Sequence, residues 1–369
     1  MLHLMSPFAA VVMLAVPALA DTIVPTDAGP MAISLVADGL DEPWAIAFLP
    51  GGGYLITERG GVLKYFSQPL ADPVVIDGLP EVADFGQGGL LDVLIPRDFA
   101  VSREVWFTFA AAKEGGAATA IGKAVLSPDG TRLSEFVTHF ELATASDDGR
   151  HFGARLVEAA DGTIFATIGD RGTGPDGMAA QDLLRDEGKV IHLNRDGTPA
   201  TRLSDALPGV FSYGHRNPQG ATLDLAGRLL TVEHGSQGGD ELNAPHSGGN
   251  YGWPLVSYGL NYDDTRIGLG TRMPGIEQPL HYWDPSIAPS GLMVYSGALL
   301  PEWKGDIFFG SLNSDFLGRL DPDTPSATGF AEERIASAET GRVRDVVEAP
   351  DGSIWFLSVT NGAAYRMAP

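Results

Sequence analysis

A short unit recurs six times along the chain, and each copy is a turn followed by a strand of alternating character. Asp-Gly and Gly-Gly pairs supply turn residues with positive φ, and the strands are rich in Ile, Val, Phe and Trp. The copies begin at Leu49, Ile95, Ala159, Leu225, Pro301 and Ala349. Residues 21–369 allow about 58 residues per copy, enough for a four-stranded blade with its loops. The pattern predicts an all-β, six-bladed β-propeller, which leaves few strand edges. A pair of β-sandwiches is the alternative, but the even spacing of the copies disfavours it.

The composition favours one large exported domain. No linker of biased composition interrupts residues 21–369, so we expect a single domain there. The sequence contains no cysteine, so disulfides cannot stabilise it, but a chain of this size buries a large core without them. The 24 basic and 47 acidic side chains give a net charge of −23. Such a surface repels nucleic acid and anionic lipid and favours neutral or cationic partners.

The first 20 residues read as a signal peptide. They contain no Lys, Arg, Asp or Glu, and Ala18-Leu19-Ala20 forms a small-x-small cleavage site before Asp21. The apolar run within them is too short to span a bilayer, and no later run is long and apolar enough. A buried N-terminal helix is the alternative. We therefore expect residues 1–20 to be removed and the protein to be periplasmic or secreted, with no membrane span.

Polar residues and glycines are concentrated in residues 211–254. Glycines there allow sharp turns that bring backbone carbonyls close to a ligand, and carboxylates beside such turns suit calcium. Arg216 offers a planar fork for a carboxylate or a quinone oxygen. Two other interpretations are open. The loops could be ordinary surface turns, or a zinc site could use His215, His234 and His246, although their spacing lacks a compact ligand signature.

Three motifs of this stretch, GHRNPQG, EHGSQGGDELN and GGNYGWP, occur in a specific order and spacing. The ordered set resembles the soluble quinoprotein aldose (sugar) dehydrogenases, and further matches extend over nearly the whole chain after residue 20. That family consists of six-bladed β-propellers that bind pyrroloquinoline quinone (PQQ) and calcium. The resemblance therefore implies the same fold as the repeats and adds two cofactors.

The resemblance also implies a catalytic base. His151, in GRHFGARL, stands where the family has its base, and a neutral imidazole is suited to accept a hydroxyl proton near neutral pH. In the glucose dehydrogenase branch an acidic residue precedes and supports the base, whereas this chain has Arg150. The orientation of His151 is therefore an open question. We expect Asp170 and Arg171, in the following DRG, to order their loop and not to act in catalysis.

The remaining site residues are implied by their match to family positions. The implied PQQ contacts are Gln87, Arg216, Asn217, Tyr262, Asn313, Ser314, Asp315, Arg342, Val343 and Arg344. The implied calcium ligands are Glu241, Tyr251 through its carbonyl, and the carbonyls of Gly235 and Ser236. Ser236 replaces a proline of the glucose dehydrogenase branch, which a backbone ligand tolerates. Pro43 and Trp44 are expected only to shape and pack a turn.

Arg342 and Arg344 have a physical rationale beside the resemblance. PQQ carries three carboxylates, and an acidic protein that binds a trianion needs concentrated cations, for which bidentate Arg is well suited. Alternate residues of a strand point the same way, so the two side chains could act together. A solvated pair on a blade strand is the alternative.

These expectations define a function and its rivals. The resemblance implies oxidation of an aldose at its anomeric carbon to a lactone, with His151 as base and hydride transfer to the quinone. It also implies an unidentified electron acceptor, and we expect a monomer. The rivals are a non-redox, calcium-stabilised propeller that binds carbohydrate or protein, and a calcium-dependent lactone hydrolase. Sugar preference would depend on loops over the cavity, such as residues 110–120 and 263–273.

Overall fold

The computed structural model describes residues 21–174 and 178–369, so the expected signal peptide lies outside the described residues. Within them the chain forms six antiparallel sheets. The strands are β1 (Thr22–Thr26), β2 (Gly29–Ala37), β3 (Pro43–Phe48), β4 (Tyr54–Glu58), β5 (Val62–Phe66), β6 (Val74–Val75), β7 (Leu90–Leu94), β8 (Glu104–Lys113), β9 (Gly116–Leu126), β10 (Leu133–Glu141), β11 (Gly153–Glu158), β12 (Ile164–Ile168), β13 (Lys189–Leu193), β14 (Val210–Tyr213), β15 (Pro218–Leu223), β16 (Leu229–Glu233), β17 (Asp240–Asn243), β18 (His281–Trp283), β19 (Pro289–Val294), β20 (Ile307–Ser311), β21 (Leu317–Ser326), β22 (Gly329–Ile335), β23 (Val343–Glu348), β24 (Ile354–Ser358) and β25 (Ala363–Ala368).

Helices play a small part in the described residues. They are the one-turn helix α1 (Phe99–Ser102) and the 3₁₀ turns Ala179–Gln181, Pro301–Trp303 and Ala338–Thr340. No described helix has the length and apolar character needed to cross a membrane. Residues 110–120, expected to be a loop, are instead the paired ends of β8 and β9.

The six sheets form a ring. In five of them four consecutive strands pair in chain order. The first strands of neighbouring sheets, β3, β7, β11, β15, β19 and β23, contact one another in a closed circle. They therefore surround a central axis, and the later strands of each sheet lie further out. The predicted six-bladed β-propeller is confirmed.

The last blade combines both ends of the chain. Its order is β1-β2-β25-β24-β23, and β2 pairs with β25 from Ala32 opposite Ala368 to Ala37 opposite Ala364. Met31 and Ile33 of β2 are buried in the same core cluster as Met367 of β25. The first strands of the chain thus close the ring against the last.

The six predicted repeats coincide with the second strand of each blade, namely β4, β8, β12, β16, β20 and β24. Their expected alternation is wrong, because β4, β12, β16, β20 and β24 are buried at every position. Each blade is packed between two neighbouring blades, so both faces of its second strand are covered. These strands are therefore mostly apolar, as in other strands buried on both faces, although Thr, Ser and Glu side chains are also buried in them.

Every innermost strand has an irregular register against its second strand close to its first residue. The shifts lie at Pro43/Ala45, Leu90/Val93, Gly153/Leu156, Pro218/Gly220, Ser290/Leu292 and Val343/Asp345. A bulge bends its strand and re-aims a side chain. The residues within these shifts include Trp44, Arg155, Gln219 and Arg344, and these four gather near the axis.

Arg155 links four blades at the centre of the ring. Its Nη1 lies 3.1 Å from Asp92 Oδ1 and 2.9 Å from Asp345 Oδ1, and its guanidinium lies 4.3 Å from the Trp44 ring centroid. Burial raises the pKa of Asp92 to about 6, although Arg155 opposes the shift. A buried ion pair with satisfied hydrogen bonds fixes geometry more than it stabilises.

Ring closure can be tested with two isoleucines. Ile33→Ala, which truncates a side chain only 2% exposed, should lower the free energy of unfolding by about 2–5 kcal/mol, because it leaves a cavity in the closing blade. Ile23→Ala in β1, where the side chain is 63% exposed, is the matched control and should change it by less than about 0.5 kcal/mol. Equal effects in denaturant titrations would contradict this account of the closure.

Candidate active site

A cavity of about 840 Å³ lies at the end of the axis where the innermost strands begin. Its walls are residues that precede or open the first strands, residues that follow the second strands, and residues of the long connection between β17 and β18. Ten predicted site residues line it, namely Gln87, His151, Arg216, Asn217, Gly235, Ser236, Tyr262, Asn313, Arg342 and Arg344. Positions from Gln87 to Arg344 are thus brought to one place by the convergence of the blades.

Five predicted site residues lie outside this lining. Val343 is fully buried in the core, so its side chain cannot contact a ligand in the cavity. Asp315 Oδ1 accepts a hydrogen bond from Arg342 N at 2.8 Å, and Ser314 N donates to Ser311 Oγ at 3.0 Å. These two contacts shape the loop beside Arg342, and direct contact of Ser314 and Asp315 with PQQ stays a prediction. Glu241 and Tyr251, which were predicted for the metal, are described below.

His151 is held by Asp170, which was expected only to order its loop. Its Nδ1 lies 2.6 Å from Asp170 Oδ1, so the ring donates a proton to the carboxylate and Nε2 is left to act as a base. The backbone of His151 has φ of +53°, and a Cβ on Gly169 would lie 2.0 Å from the His151 carbonyl oxygen. The expectation that Asp170 only orders its loop is therefore incomplete.

Asp170 is itself fixed by several donors. Trp253 Nε1 donates to its Oδ2 at 2.7 Å, and the Gly172 amide donates to its Oδ1 at 2.9 Å. Burial would raise the pKa of Asp170, but the hydrogen bond and charge of His151 and the charge of Arg216 hold it below its usual range. The carboxylate thus stays ionised. Burial lowers the pKa of His151 although the bond to Asp170 raises it, so the imidazole is neutral at neutral pH.

Three neighbours complete the surroundings of the base. Gln87 Oε1 accepts a hydrogen bond from His151 N at 2.9 Å, so this cavity residue positions the base. Arg150 points to Asp148, with contacts of 2.7 and 2.6 Å, and does not hold the imidazole ring. Arg171 lies 3.5 Å above the Phe152 ring and donates to the carbonyls of Arg150 and Ala117, which confirms its loop-ordering role.

Three arginines of the cavity wall have no carboxylate partner within the described ranges. Arg216 donates to the carbonyls of His234 and Gly235. Arg342 donates to the Leu312 carbonyl at 2.9 Å. Arg344 donates to Gln219 Oε1 at 2.7 Å and to Ser290 Oγ at 3.3 Å. Burial, together with the charges of Arg155 and Arg342, lowers the pKa of Arg344 to about 9. The cavity therefore carries positive charge that an anion would neutralise.

The two C-terminal arginines reach the cavity by a different route from the one predicted. Arg342 precedes β23 and has φ of +47°, while Arg344 lies in the register shift between Val343 and Asp345. Simple alternation along a strand is therefore wrong. The left-handed residue and the bulge together turn both guanidinium groups toward the same cavity.

Asp240 fixes two loops of the cavity wall. Its Oδ1 accepts from Gly235 N at 2.7 Å, and its Oδ2 accepts from the amides of Ile287 and Ala288 at 2.7 and 2.8 Å. The Ser286 hydroxyl also donates to it. A buried carboxylate with this many donors sets the position of the Gly235 carbonyl, one of the predicted calcium ligands.

Behind this loop two glutamates face each other, of which Glu233 is buried and Glu241 is partly buried. Glu233 of β16 is directly opposite Glu241 of β17, and Asn243 Nδ2 donates to both carboxylates, at 2.9 and 3.0 Å. Burial and the charge of Glu233 raise the pKa of Glu241 to about 8. Like charges directly opposite on paired strands are destabilising, so this pair suits a bound cation.

Tyr251 lies next to this pair. Its ring stacks on His215 at 4.8 Å, and His215 Nδ1 lies 2.9 Å from Glu233 Oε1. The Tyr251 hydroxyl donates to the Ala244 carbonyl at 2.6 Å, which leaves its backbone carbonyl as the group available to a metal.

The histidines considered for a zinc site, His215 and His234, have separate partners, since His234 Nε2 contacts the Pro289 carbonyl at 3.0 Å. Residues 21–174 and 178–369 contain no cluster of three or more His, Cys, Asp or Glu suited to a metal, so a calcium ion here would depend on carbonyl oxygens.

The structure places two further residues, Trp44 and Gln219, in the cavity wall. Trp44, expected only to pack a turn, lines the cavity, and its ring centroid lies 5.6 Å from the Arg344 guanidinium and 4.3 Å from that of Arg155. Gln219 also lines the cavity and accepts a hydrogen bond from Arg344.

The sequence did hold one signal for a role of Asp170 in the cavity. It lies two residues after the second strand of its blade, the position that the predicted site residue Gly235 of the cavity wall has in the next blade.

Comparisons with known proteins agree with this geometry. The family described as Glucose / Sorbosone dehydrogenase matches residues 40–366. The chain is 36% identical over 348 residues to the aldose sugar dehydrogenase YliI of Escherichia coli K12, covering 91% of this chain and 92% of that relative. A crystal structure of a glucose dehydrogenase superimposes with a TM-score of 0.83 at 40% identity and covers 91% of this chain and 98% of its own.

A structure with bound cofactor also matches. The PQQ-bound form of aldose sugar dehydrogenase from Streptomyces coelicolor superimposes with a TM-score of 0.75 at 25% identity, covering 92% of this chain and 98% of that one. The similarity therefore covers more than nine-tenths of the chain. The chain belongs to the glucose/sorbosone dehydrogenase family.

Proposed function

We propose that the protein oxidises aldoses at the anomeric carbon to lactones, using PQQ and calcium. The observation that carries this proposal is one cavity with two features, an aspartate-held histidine and three arginines without carboxylate partners among the described residues. The first suits removal of a hydroxyl proton, and the second suits a polyanion. Family members named aldose sugar dehydrogenase, one of them PQQ-bound, support the same reaction.

The cavity fits PQQ by charge. The three carboxylates of PQQ would meet Arg216, Arg342 and Arg344, whose present partners are neutral oxygens. Arg216 Nε is buried without a hydrogen-bond partner in the described part of the chain, which leaves it free for a ligand. The protein has a net charge of −23, and its fold does not need three arginines gathered in one cavity without ion-pair partners. Bound PQQ would supply the quinone that accepts the hydride.

The calcium proposal rests on the opposed glutamates and on free carbonyls. Glu241 would provide a carboxylate and Tyr251 a carbonyl for one ion, consistent with the preference of calcium for oxygen ligands. The carbonyls of Gly235 and Ser236 would contribute to a second ion at the cofactor. Because Arg216 already donates to the Gly235 carbonyl, that ion would require the negative charge of the cofactor beside it.

His151 would act as the base. Its Nε2 would take the proton of the anomeric hydroxyl, and Asp170 would stabilise the imidazolium through the bond to Nδ1. A neutral starting imidazole follows from its lowered pKa. A propeller that only bound carbohydrate would have no use for a positioned base, so this feature favours the dehydrogenase over the non-redox alternative. The electron acceptor remains unidentified, and a monomer remains an expectation.

The first test is cofactor binding. Replacing both Arg342 and Arg344 by Gln should weaken PQQ binding by about 10² to 10⁴-fold, because each charge-assisted hydrogen bond is worth about 1.5–3 kcal/mol. Titration at fixed calcium measures this. The matched control replaces Arg228 and Arg366, which pair with Asp224 and Asp351 on the surface, and should bind like wild type. Absence of saturable PQQ binding by wild type would overturn the proposed function.

The second test concerns the base. His151→Ala should lower turnover by about 10² to 10⁴-fold while PQQ binding persists. Wild-type activity should fall on the acid side as His151 becomes protonated, with an apparent pKa below the usual 6.5. Asp170→Asn removes an interaction that raises this pKa, so its acid limb should move to lower pH and its turnover should drop. An unchanged pH profile would remove Asp170 from the mechanism.

The third test concerns calcium. Chelation should lower the melting temperature of the wild-type protein, because a ligand that binds only the folded state stabilises it by about 2.7 kcal/mol at a hundred times its Kd. Glu241→Gln should respond less to calcium, yet melt higher than wild type in chelator because the repulsion with Glu233 is gone. Glu277→Gln, at a glutamate that faces the half-exposed His246, is the control. Identical wild-type melting with calcium and with chelator would rule out calcium.

A further inference from the structure

Glu233 lies between the two ligand sites proposed above. On one side its Oε2 accepts a hydrogen bond from the Arg216 amide at 2.8 Å. On the other side its Oε1 accepts from Asn243 Nδ2 at 2.9 Å, and the same amide group donates to Glu241 Oε2 at 3.0 Å. One carboxylate therefore connects the candidate calcium ligand to a residue of the cavity wall.

The backbone of Arg216 is fixed from both sides. Its amide is bound by Glu233, and its carbonyl accepts a hydrogen bond from Asp170 N at 2.8 Å. Asp170 in turn holds His151. A shift of the Glu233 carboxylate would therefore displace the Arg216 backbone. This would move the Arg216 guanidinium, which faces the cavity, and the aspartate that orients the base.

The position of Glu233 depends on what balances Glu241. The two residues are directly opposite on paired strands, and one amide group is shared between their carboxylates. Two opposed carboxylates at low dielectric repel strongly when both are ionised. A calcium ion at Glu241 would neutralise the second carboxylate and so favour the arrangement in which Glu233 is bound to Arg216 and His215.

We propose that Glu233 is a positioning residue that couples calcium occupancy at Glu241 to the affinity of the cavity for PQQ. This inference rests on the proposed function, since both ligands come from it. The coupling is distinct from the role of the calcium ion at the cofactor itself. Because coupling between two binding sites is reciprocal, PQQ would tighten calcium binding at Glu241 by the same factor.

The experiment is a double-mutant cycle. The Kd of PQQ is measured in saturating calcium for wild type, Glu241→Gln, Glu233→Gln and the double variant. The calcium ion at the cofactor is retained in all four proteins, so its contribution cancels. Glu241→Gln should weaken PQQ binding at least about fivefold when Glu233 is present. In the Glu233→Gln background the same change should have less than about a twofold effect, because the connection is already broken.

A purely structural role gives a different result. If Glu233 and Glu241 only stabilise the fold, the variants lower the melting temperature but their effects on the Kd of PQQ are absent or multiply independently, and the coupling is overturned. Should Glu233→Gln not fold, Glu233→Asp replaces it in the cycle, since it keeps the charge but draws the carboxylate back from the Arg216 amide. Glu277→Gln, outside the connection, should leave the Kd unchanged.

Failure of the coupling and failure of the proposed function are distinguishable. Wild-type protein that shows no saturable PQQ binding contradicts both. Wild-type protein that binds PQQ, with independent effects of the two glutamates, contradicts only the coupling.

Discussion

The pairing of β2 with β25 is the contact on which the rest of the structure depends. It joins the first strands of the chain to the last and converts a row of six sheets into a closed ring. Only in a closed ring do all six innermost strands begin at the same end of one axis. Residues more than 250 positions apart, such as Gln87 and Arg344, then line a single cavity.

The irregular start of each innermost strand gives this cavity its chemistry. Regular pairing would send alternate side chains into the flanking blades, whereas a bulge directs one of them toward the axis. Trp44, Gln219 and Arg344 all enter the cavity in this way. Arg155, re-aimed likewise, forms ion pairs with Asp92 and Asp345 at the axis. The aromatic ring of Trp44 is close to the guanidinium groups of both Arg155 and Arg344.

Charge is distributed so that the arginines of the cavity remain available. Although the chain has nearly twice as many acidic as basic side chains, the buried acids nearest the cavity are engaged elsewhere. Asp170 holds His151, Asp240 binds backbone amides of two loops, and Glu233 binds the Arg216 amide. Each is surrounded by donors, which keeps a buried carboxylate satisfied. The guanidinium groups are thus left with neutral partners and can accept an anionic ligand.

The sequence by itself determined the propeller and much of the site. Turn and strand chemistry repeats with the blades, and motif order marks loop residues such as His151, Arg216 and Arg342, whose identity is visible without coordinates. It could not reveal that Asp170 orients His151, that Trp44 faces the cavity, or that Val343 turns away from it. Those facts depend on bulges and on packing between blades distant in the chain. A one-residue shift in register changes the face on which every following side chain lies, and only the closed ring decides where those shifts occur.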